Sequence, residues 1–227
     1  KPGVKLLRLP QGLSPRAYIA GGCGMPTGFH AVERAQIQLG DTVVIQGSGP
    51  VGLNTVVFAR MAGAGQLILL GAPEKRLALG QPFGADDVID IRALDAEQRV
   101  EAILARTHGR GADVVIEASG APQAVAEGVR MTRDGGRYVI VGQYTDNGNV
   151  SLNPHLHINK KHLDIRGCWG SEFAHFYRGA MMMARSAATV DWESMISRSY
   201  GLSEAGQALE DVENLRVIKA VIDPRLA

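Results

Sequence analysis

The chain has 227 residues, 45% of them apolar, with 24 basic against 23 acidic side chains and a formal net charge of +1. That length can bury one large core, and a balanced charge without like-charge runs leaves no electrostatic footprint for nucleic acid or an anionic membrane surface. No run approaches the roughly 18 to 20 apolar residues of a spanning helix, and the opening Lys1-Pro2-Gly3-Val4 lacks the pattern of a signal peptide, so the expectation is a soluble, cytoplasmic protein whose partner is a small molecule.

In chain order, residues 1–22 do not begin with Met and read, through Lys5-Leu6-Leu7-Arg8-Leu9-Pro10, as the tail of a preceding domain, which makes the chain an expected fragment. From residue 42 onward, short β-branched runs alternate with helical patterns, the mark of a parallel sheet wrapped by crossover helices. The predicted strands are 42–46, 66–70, 87–90, 112–117, 137–141 and 162–166. Between them, 50–61 is apolar nearly all round, as in a helix buried against a sheet, with Pro50 where a first turn tolerates it. Pro73 begins the next helix in the same way, and 95–107 and 122–131 read as covering helices before Asp134-Gly135-Gly136 turns the chain. Right-handed crossovers of this length give an α/β fold, a doubly wound six-stranded parallel sheet. After Gly167 the texture changes, with helices predicted at 172–186 and 203–212 and a last strand at 217–222. The predicted organisation is a front segment 1–22 and a C-terminal segment 170–227, both belonging to a second and mostly absent domain, around a doubly wound α/β domain at 23–169.

Chemistry concentrates at Gly47-Ser48-Gly49-Pro50-Val51-Gly52, directly after a strand and opening a helix. In that context Gly47 permits the tight turn, Gly49 lets the backbone approach a pyrophosphate, Gly52 lets the helix pack close, and the helix N-terminus faces the negative charge. The acid that usually binds the adenosine ribose lies about 20 residues on, at the end of the second strand. Gly71 stands there, followed by Ala72-Pro73-Glu74-Lys75-Arg76. Loss of the acid removes the main barrier to NADP and leaves Lys75 and Arg76 close enough to attract a 2'-phosphate, with Arg76 an expected cofactor contact, whereas the lack of a basic residue directly after Gly71, and Glu74 within reach of a hydroxyl, favour NAD. Both NAD and NADP stay open.

Four segments, Gly22-Cys23-Gly24-Met25-Pro26-Thr27-Gly28, the glycine fingerprint, Gly111 to Gly120, and Val139-Ile140-Val141-Gly142, occur in an order and spacing that resembles the zinc-dependent medium-chain dehydrogenase/reductase family. The resemblance implies a hydride transfer between NAD(P) and an alcohol or carbonyl substrate, with zinc as Lewis acid. It implies Cys23 as a ligand of the catalytic zinc and Thr27 as the catalytic-site residue beside the nicotinamide. It also implies cofactor contacts from Ala118, Ser119, Gly120, Val141, Gly142 and Gln143, and from Lys219 near the pyrophosphate. The domain at 23–169 is thus expected to be the dinucleotide-binding (Rossmann) domain, and the flanking segments to belong to the catalytic domain. A homodimer or homotetramer follows in the same way, through the edge strand 162–166. The family's earlier cysteine, its His-Glu pair, its four-cysteine lobe and its proton relay have no counterpart in these residues, so from this chain alone the zinc site does not close.

Plain structural readings stand beside these. Two cysteines are too few for a disulfide framework or an all-cysteine metal site, and Cys168, without a motif, reads as structural. His155, His157 and His162 have no cysteine or carboxylate at ligand spacing, one or two of Met181, Met182 and Met183 must face a core, His108 and Arg110 read as solvated, and Glu117 reads as a buried carboxylate in need of hydrogen-bond partners. Two rival functions are a zinc-free quinone or enoyl reductase of the same superfamily, which has no need of Cys23, and a dinucleotide-binding module without catalysis.

Overall fold

A computed structural model describes residues 3–226; Lys1, Pro2 and Ala227, at the ends of the front and C-terminal segments, lie outside the described residues. Six strands form one parallel sheet: β1 (Thr42–Gln46), β2 (Gln66–Gly71), β3 (Asp87–Asp90), β4 (Ala112–Glu117), β5 (Thr132–Ile140) and β6 (Asp164–Gly167). Their order is β3-β2-β1-β4-β5-β6, so the chain reverses its direction of travel between β1 and β4. Open sheets of this kind bind ligands in the crevice beyond the strand ends at that switch point.

Strands covered on both faces read as nearly continuous apolar runs, and β1, β2 and β4 do so. Successive residues point to opposite faces, and two apolar clusters divide accordingly. Val43, Ile45, Leu67, Leu69, Val114 and Ile116 face one way, and Val44, Ile68, Leu70 and Val115 the other. The second face is covered by α5 (Ala96–Arg106) and α6 (Pro122–Met131), through Val100, Ile103, Val125 and Val129. A capping box at Asp95 and Gln98 starts α5.

The first face is covered by α2 (Gly24–Ala35) and α3 (Pro50–Met61), joined by α7 (Phe173–Ser186). The helix over 24–35 has no counterpart in the sequence reading, because Gly24, Pro26 and Gly28 look like turn residues. They belong there for a packing reason. A Cβ on Gly24 would meet the Pro50 carbonyl group at 3.0 Å, and one on Gly28 would meet the Thr55 nitrogen at 2.9 Å. Only glycine lets α2 cross α3 so closely.

Other departures are local. The strand predicted at 137–141 begins at Thr132, which pairs with Ala112 before a register shift, so Asp134-Gly135-Gly136 is an irregularity inside β5 and not a turn ahead of it. α4 (Glu74–Leu77) is a short turn of helix. The remainder consists of α1 (Pro15–Gly21), β7 (Ile196–Tyr200), α8 (Ala205–Glu213) and β8 (Lys219–Ile222), with β7 and β8 paired in a separate parallel ribbon.

The apolar core runs without a break across residues 22/23 and 169/170. Leu13, Ala17 and Ala20 from the front and Met183, Trp192 and Met195 from the C-terminal segment share one cluster with the sheet. Trp192 is 2% exposed and its ring lies 6.0 Å from both Phe58 and Phe83, and its indole N–H donates to Ser186 Oγ at 3.1 Å.

Candidate functional site

A cleft of about 510 Å³ opens at the carboxyl ends of β1, β2 and β4. Its walls include Gly47, Ser48 and Gly49 after β1, Gly71 and Arg76 at and after β2, and Ala118 and Ser119 after β4. Three sequence-distant motifs therefore converge on one crevice, at the switch point.

Each glycine of the turn has a distinct physical reason. Gly47 has φ of +119°, and a Cβ there would stand 2.8 Å from the Ala118 carbonyl group. A Cβ on Gly52 would overlap the Gly47 carbonyl oxygen, so α3 can begin this close to β1 only without a side chain at that position. Gly49 differs: a Cβ there meets nothing within 4 Å. It is the N-cap of α3, makes no side-chain cap, and is followed by Pro50. The N–H groups of a first helical turn have no intrahelical partner, so this uncapped end offers donors and positive dipole to an anion. The empty space over Gly49 and the uncapped helix end fit the pyrophosphate of a dinucleotide.

The loop after β4 is held by Glu117, which is fully buried. Its Oε1 accepts the N–H groups of Ser119 and Gly120, both at 2.7 Å, and the Ser119 hydroxyl at 2.8 Å; Oε2 accepts Gly142 N–H at 3.2 Å. This carboxylate ties the 118–120 loop to the end of β5. Its partners are those the sequence reading required of it.

Two features of the cleft have no sequence signal. Gln46, 4% exposed, donates to the Ala124 carbonyl and accepts the Tyr138 hydroxyl beneath the turn. Arg99 and Glu127 form a two-point ion pair at 2.8 and 2.6 Å, and Arg99 also donates to Leu94 and Ile91 carbonyls. Their signal would have been a helix-to-helix pairing across 28 positions, which periodicity does not show.

Other motif residues lie outside the cleft wall. Pro50, Val51 and Gly52 form the first turn of α3 behind it. Gly120, Val141 and Gly142 pack at the β4 and β5 ends, and Gln143 lines a neighbouring cavity of about 530 Å³ with Tyr144 and Trp169. Cys23 is exposed just ahead of α2, and Thr27 one turn on donates its hydroxyl to the Cys23 carbonyl at 2.8 Å. Lys219 does not line the cleft; its ammonium donates to the Ala20 carbonyl at 3.0 Å. Burial lowers the Lys219 pKa, and the nearby Cys23 acts in the opposite sense.

Zinc requires three protein ligands in a catalytic site. Among the described residues no three His, Cys, Asp or Glu side chains are grouped to hold a metal, and Cys23 offers a single thiol. The residues present do not hold zinc by themselves. Cys168 is buried, and burial pushes its thiol up to about 11. Met183 is fully buried in the core while Met182 is partly so. Arg110 is paired with Asp113 at 2.8 Å.

A family model described as zinc-binding dehydrogenase matches residues 50–186. The chain is 35% identical over 225 residues to 5-exo-hydroxycamphor dehydrogenase of Pseudomonas putida, a match covering 99% of this chain and 62% of that protein. Among solved structures, an alcohol dehydrogenase of Thermotoga maritima superposes with a TM-score of 0.88 at 32% identity, over 95% of this chain and 59% of the other. A Sinorhizobium meliloti protein assigned as a zinc-binding dehydrogenase and bound to NADP superposes with a TM-score of 0.78 at 31% identity, over 89% of this chain and 58% of the other. The chain thus spans about three fifths of the length of these relatives.

Proposed function

Since this chain belongs to the zinc-binding dehydrogenase family, we propose that it is the dinucleotide-binding part of an oxidoreductase that moves a hydride between NAD(P) and an alcohol or its carbonyl product. The observation that carries this reading is the open, uncapped turn at Gly49, flanked by two glycines whose side-chain space is already filled by backbone. When bound, a nicotinamide dinucleotide supplies the hydride chemistry.

The chain's own residues bind and orient. Gly47 to Gly52 hold the pyrophosphate at the start of α3. Gly71 and Arg76 face the adenosine ribose. Ala118, Ser119 and Gly120, fixed by Glu117, together with Val141, Gly142 and Gln143, run along the rest of the cofactor toward Thr27. Lys219, held at the end of α1 and outside the cleft wall, would act on the pyrophosphate through its charge at longer range. Cys23 is offered as one zinc ligand; closing that site takes two further ligands, which the described residues do not group around it. The relatives' printed activities, hydroxycamphor and alcohol oxidation, favour a small alcohol or carbonyl as substrate. We also propose a homodimer or homotetramer, through the β6 edge, because an unpaired strand edge seeks a partner.

The test is a hydride-transfer assay with NAD and NADP against a panel of alcohols and ketones, with metal analysis on the same sample. Turnover that disappears with chelation and returns with zinc supports the reading. Turnover indifferent to zinc points to the zinc-free reductase, and failure to bind either dinucleotide overturns the proposal.

A further inference from the structure

Resting on the dinucleotide reading above, we infer that the preferred cofactor is the 2'-phosphorylated dinucleotide, NADP, with its 2'-phosphate seated in a basic pocket made by Lys75, Arg76, Arg198 and Arg216. The residues from 71 to 76 alone lean the other way. Two arginines from the far end of the chain reverse that lean.

The first support is steric. In this fold a carboxylate at the end of the second strand accepts the ribose 2'-hydroxyl and repels a 2'-phosphate. Position 71 has no room for one, because a Cβ there would overlap the Ser48 side chain, whose hydroxyl donates to the Ala72 carbonyl at 3.2 Å. The discriminating acid is thus excluded by packing, not merely missing.

The second support is a separate cavity of about 310 Å³ that shares Arg76 and Leu215 with the cofactor cleft. Lys75 and Arg76 come from α4, Arg198 from β7, and Arg216 from the loop before β8; no carboxylate lines this space. Arg198 is paired with Glu204 at 2.7 Å and Arg216 with Asp211 at 2.9 Å, from outside the lining. A guanidinium carries five N–H donors, so each keeps donors for a phosphate. Lys75 has no ion pair among the described residues.

The third support is preorganisation. Arg76 donates from Nη2 to the Val217 carbonyl at 2.8 Å, which fixes its guanidinium in the wall between cleft and pocket and ties α4 to the loop that brings Arg216. Its Nη1 makes no hydrogen bond among the described residues. A planar, fixed guanidinium matches phosphate geometry, and a ribose lying against Gly71 places its 2' position toward this wall.

Calorimetric titration with NADP and NAD, and with 2'-AMP and 5'-AMP as adenosine-end probes, tests the inference on the wild-type chain and on Lys75→Ala and Arg216→Ala. NADP should bind at least tenfold tighter than NAD, 2'-AMP should compete better than 5'-AMP, and each substitution should lower the NADP to NAD affinity ratio severalfold. Added salt should weaken NADP more than NAD. Thermal unfolding controls for fold, and Lys75→Ala, which breaks no ion pair, serves if Arg216→Ala is unstable. NAD bound as tightly as NADP, or a ratio unmoved by both substitutions, overturns this inference and spares the dinucleotide reading. Binding of neither dinucleotide overturns both.

Discussion

Gly49 and Gly52 sit three residues apart in one turn, and the structure assigns them opposite responses to the same kind of change. Gly49 has φ of −77° and ψ of 179°, an extended conformation open to any residue, and its added Cβ meets nothing within 4 Å. Gly49→Val should therefore still fold, at a cost of about 1 kcal/mol, because valine is a poorer N-cap than glycine, partly offset by the lost flexibility of the unfolded chain. The valine would fill the pyrophosphate space and shield the uncapped N–H groups of α3. Losing two charge-assisted hydrogen bonds at about 1.5 to 3 kcal/mol each amounts to about 3 to 6 kcal/mol, or between a hundredfold and ten-thousandfold in affinity. Gly52→Ala should do the reverse. Its Cβ overlaps the Gly47 carbonyl oxygen, and forced overpacking costs about 1 to 3 kcal/mol or more. Thermal unfolding and calorimetric dinucleotide titration on both variants separate the two effects. Unchanged dinucleotide affinity in Gly49→Val, or wild-type stability in Gly52→Ala, would refute the assignment of this turn.

In a protein that contains this chain together with the remaining zinc ligands, Cys23→Ala should remove the catalytic zinc and most activity while sparing dinucleotide affinity, because Cys23 lies ahead of α2 and outside the cleft; metal content and titration measured together check it, and full zinc occupancy would contradict it. Glu117→Gln places an amide where backbone donors from Ser119, Gly120 and Gly142 converge, so denaturant unfolding should show a loss of about 1.5 to 3 kcal/mol, and a loss below about 0.5 kcal/mol would count against the clamp. His175 accepts Glu172 N–H at 2.8 Å through Nδ1 and stacks on His30 at 4.2 Å, both of which suit a neutral ring, while Glu33 at 3.3 Å favours the charged one. Burial and then His30 lower its pKa, against the pull of Glu33 and Glu172. The unfolded chain then binds more protons, so stability falls as pH drops below about 6.5, the ordinary histidine value. His175→Gln keeps an N3 capping residue without a titrating ring, and hydrogen exchange at pH 5 and 7 should show that the acid loosening of α7 disappears; an unchanged pH dependence would tell against it.

The central strands were legible because they are buried on both sides around short apolar runs, as in Val43–Ile45 and Val114–Ile116. The glycine fingerprint was legible because its spacing reports a local backbone requirement. What escaped depends on contacts between distant residues. Gly24 and Gly28 signal a turn locally and a close helix crossing in three dimensions. β7 (Ile196–Tyr200) is apolar only at its ends, since it pairs in a ribbon and not in the sheet, so no alternation marks it. The packing of Ala20, Met183 and Trp192 with sheet residues likewise joins segments far apart in the chain. Around the cleft, Gly47, Gly49 and Gly71 were readable, but the filling of Gly71's side-chain space by Ser48, and the arrival of Arg198 and Arg216 beside α4, exist only once the chain is folded.

Whether the crevice beyond β1 and β4 is a dinucleotide site is decided by calorimetric titration of the 227-residue chain with reduced dinucleotide. The account predicts saturable binding of one dinucleotide per chain, competed by adenosine nucleotides and lost in Gly49→Val with the fold intact. A folded wild-type chain that shows no saturable binding of NADH or NADPH at millimolar concentration would contradict it.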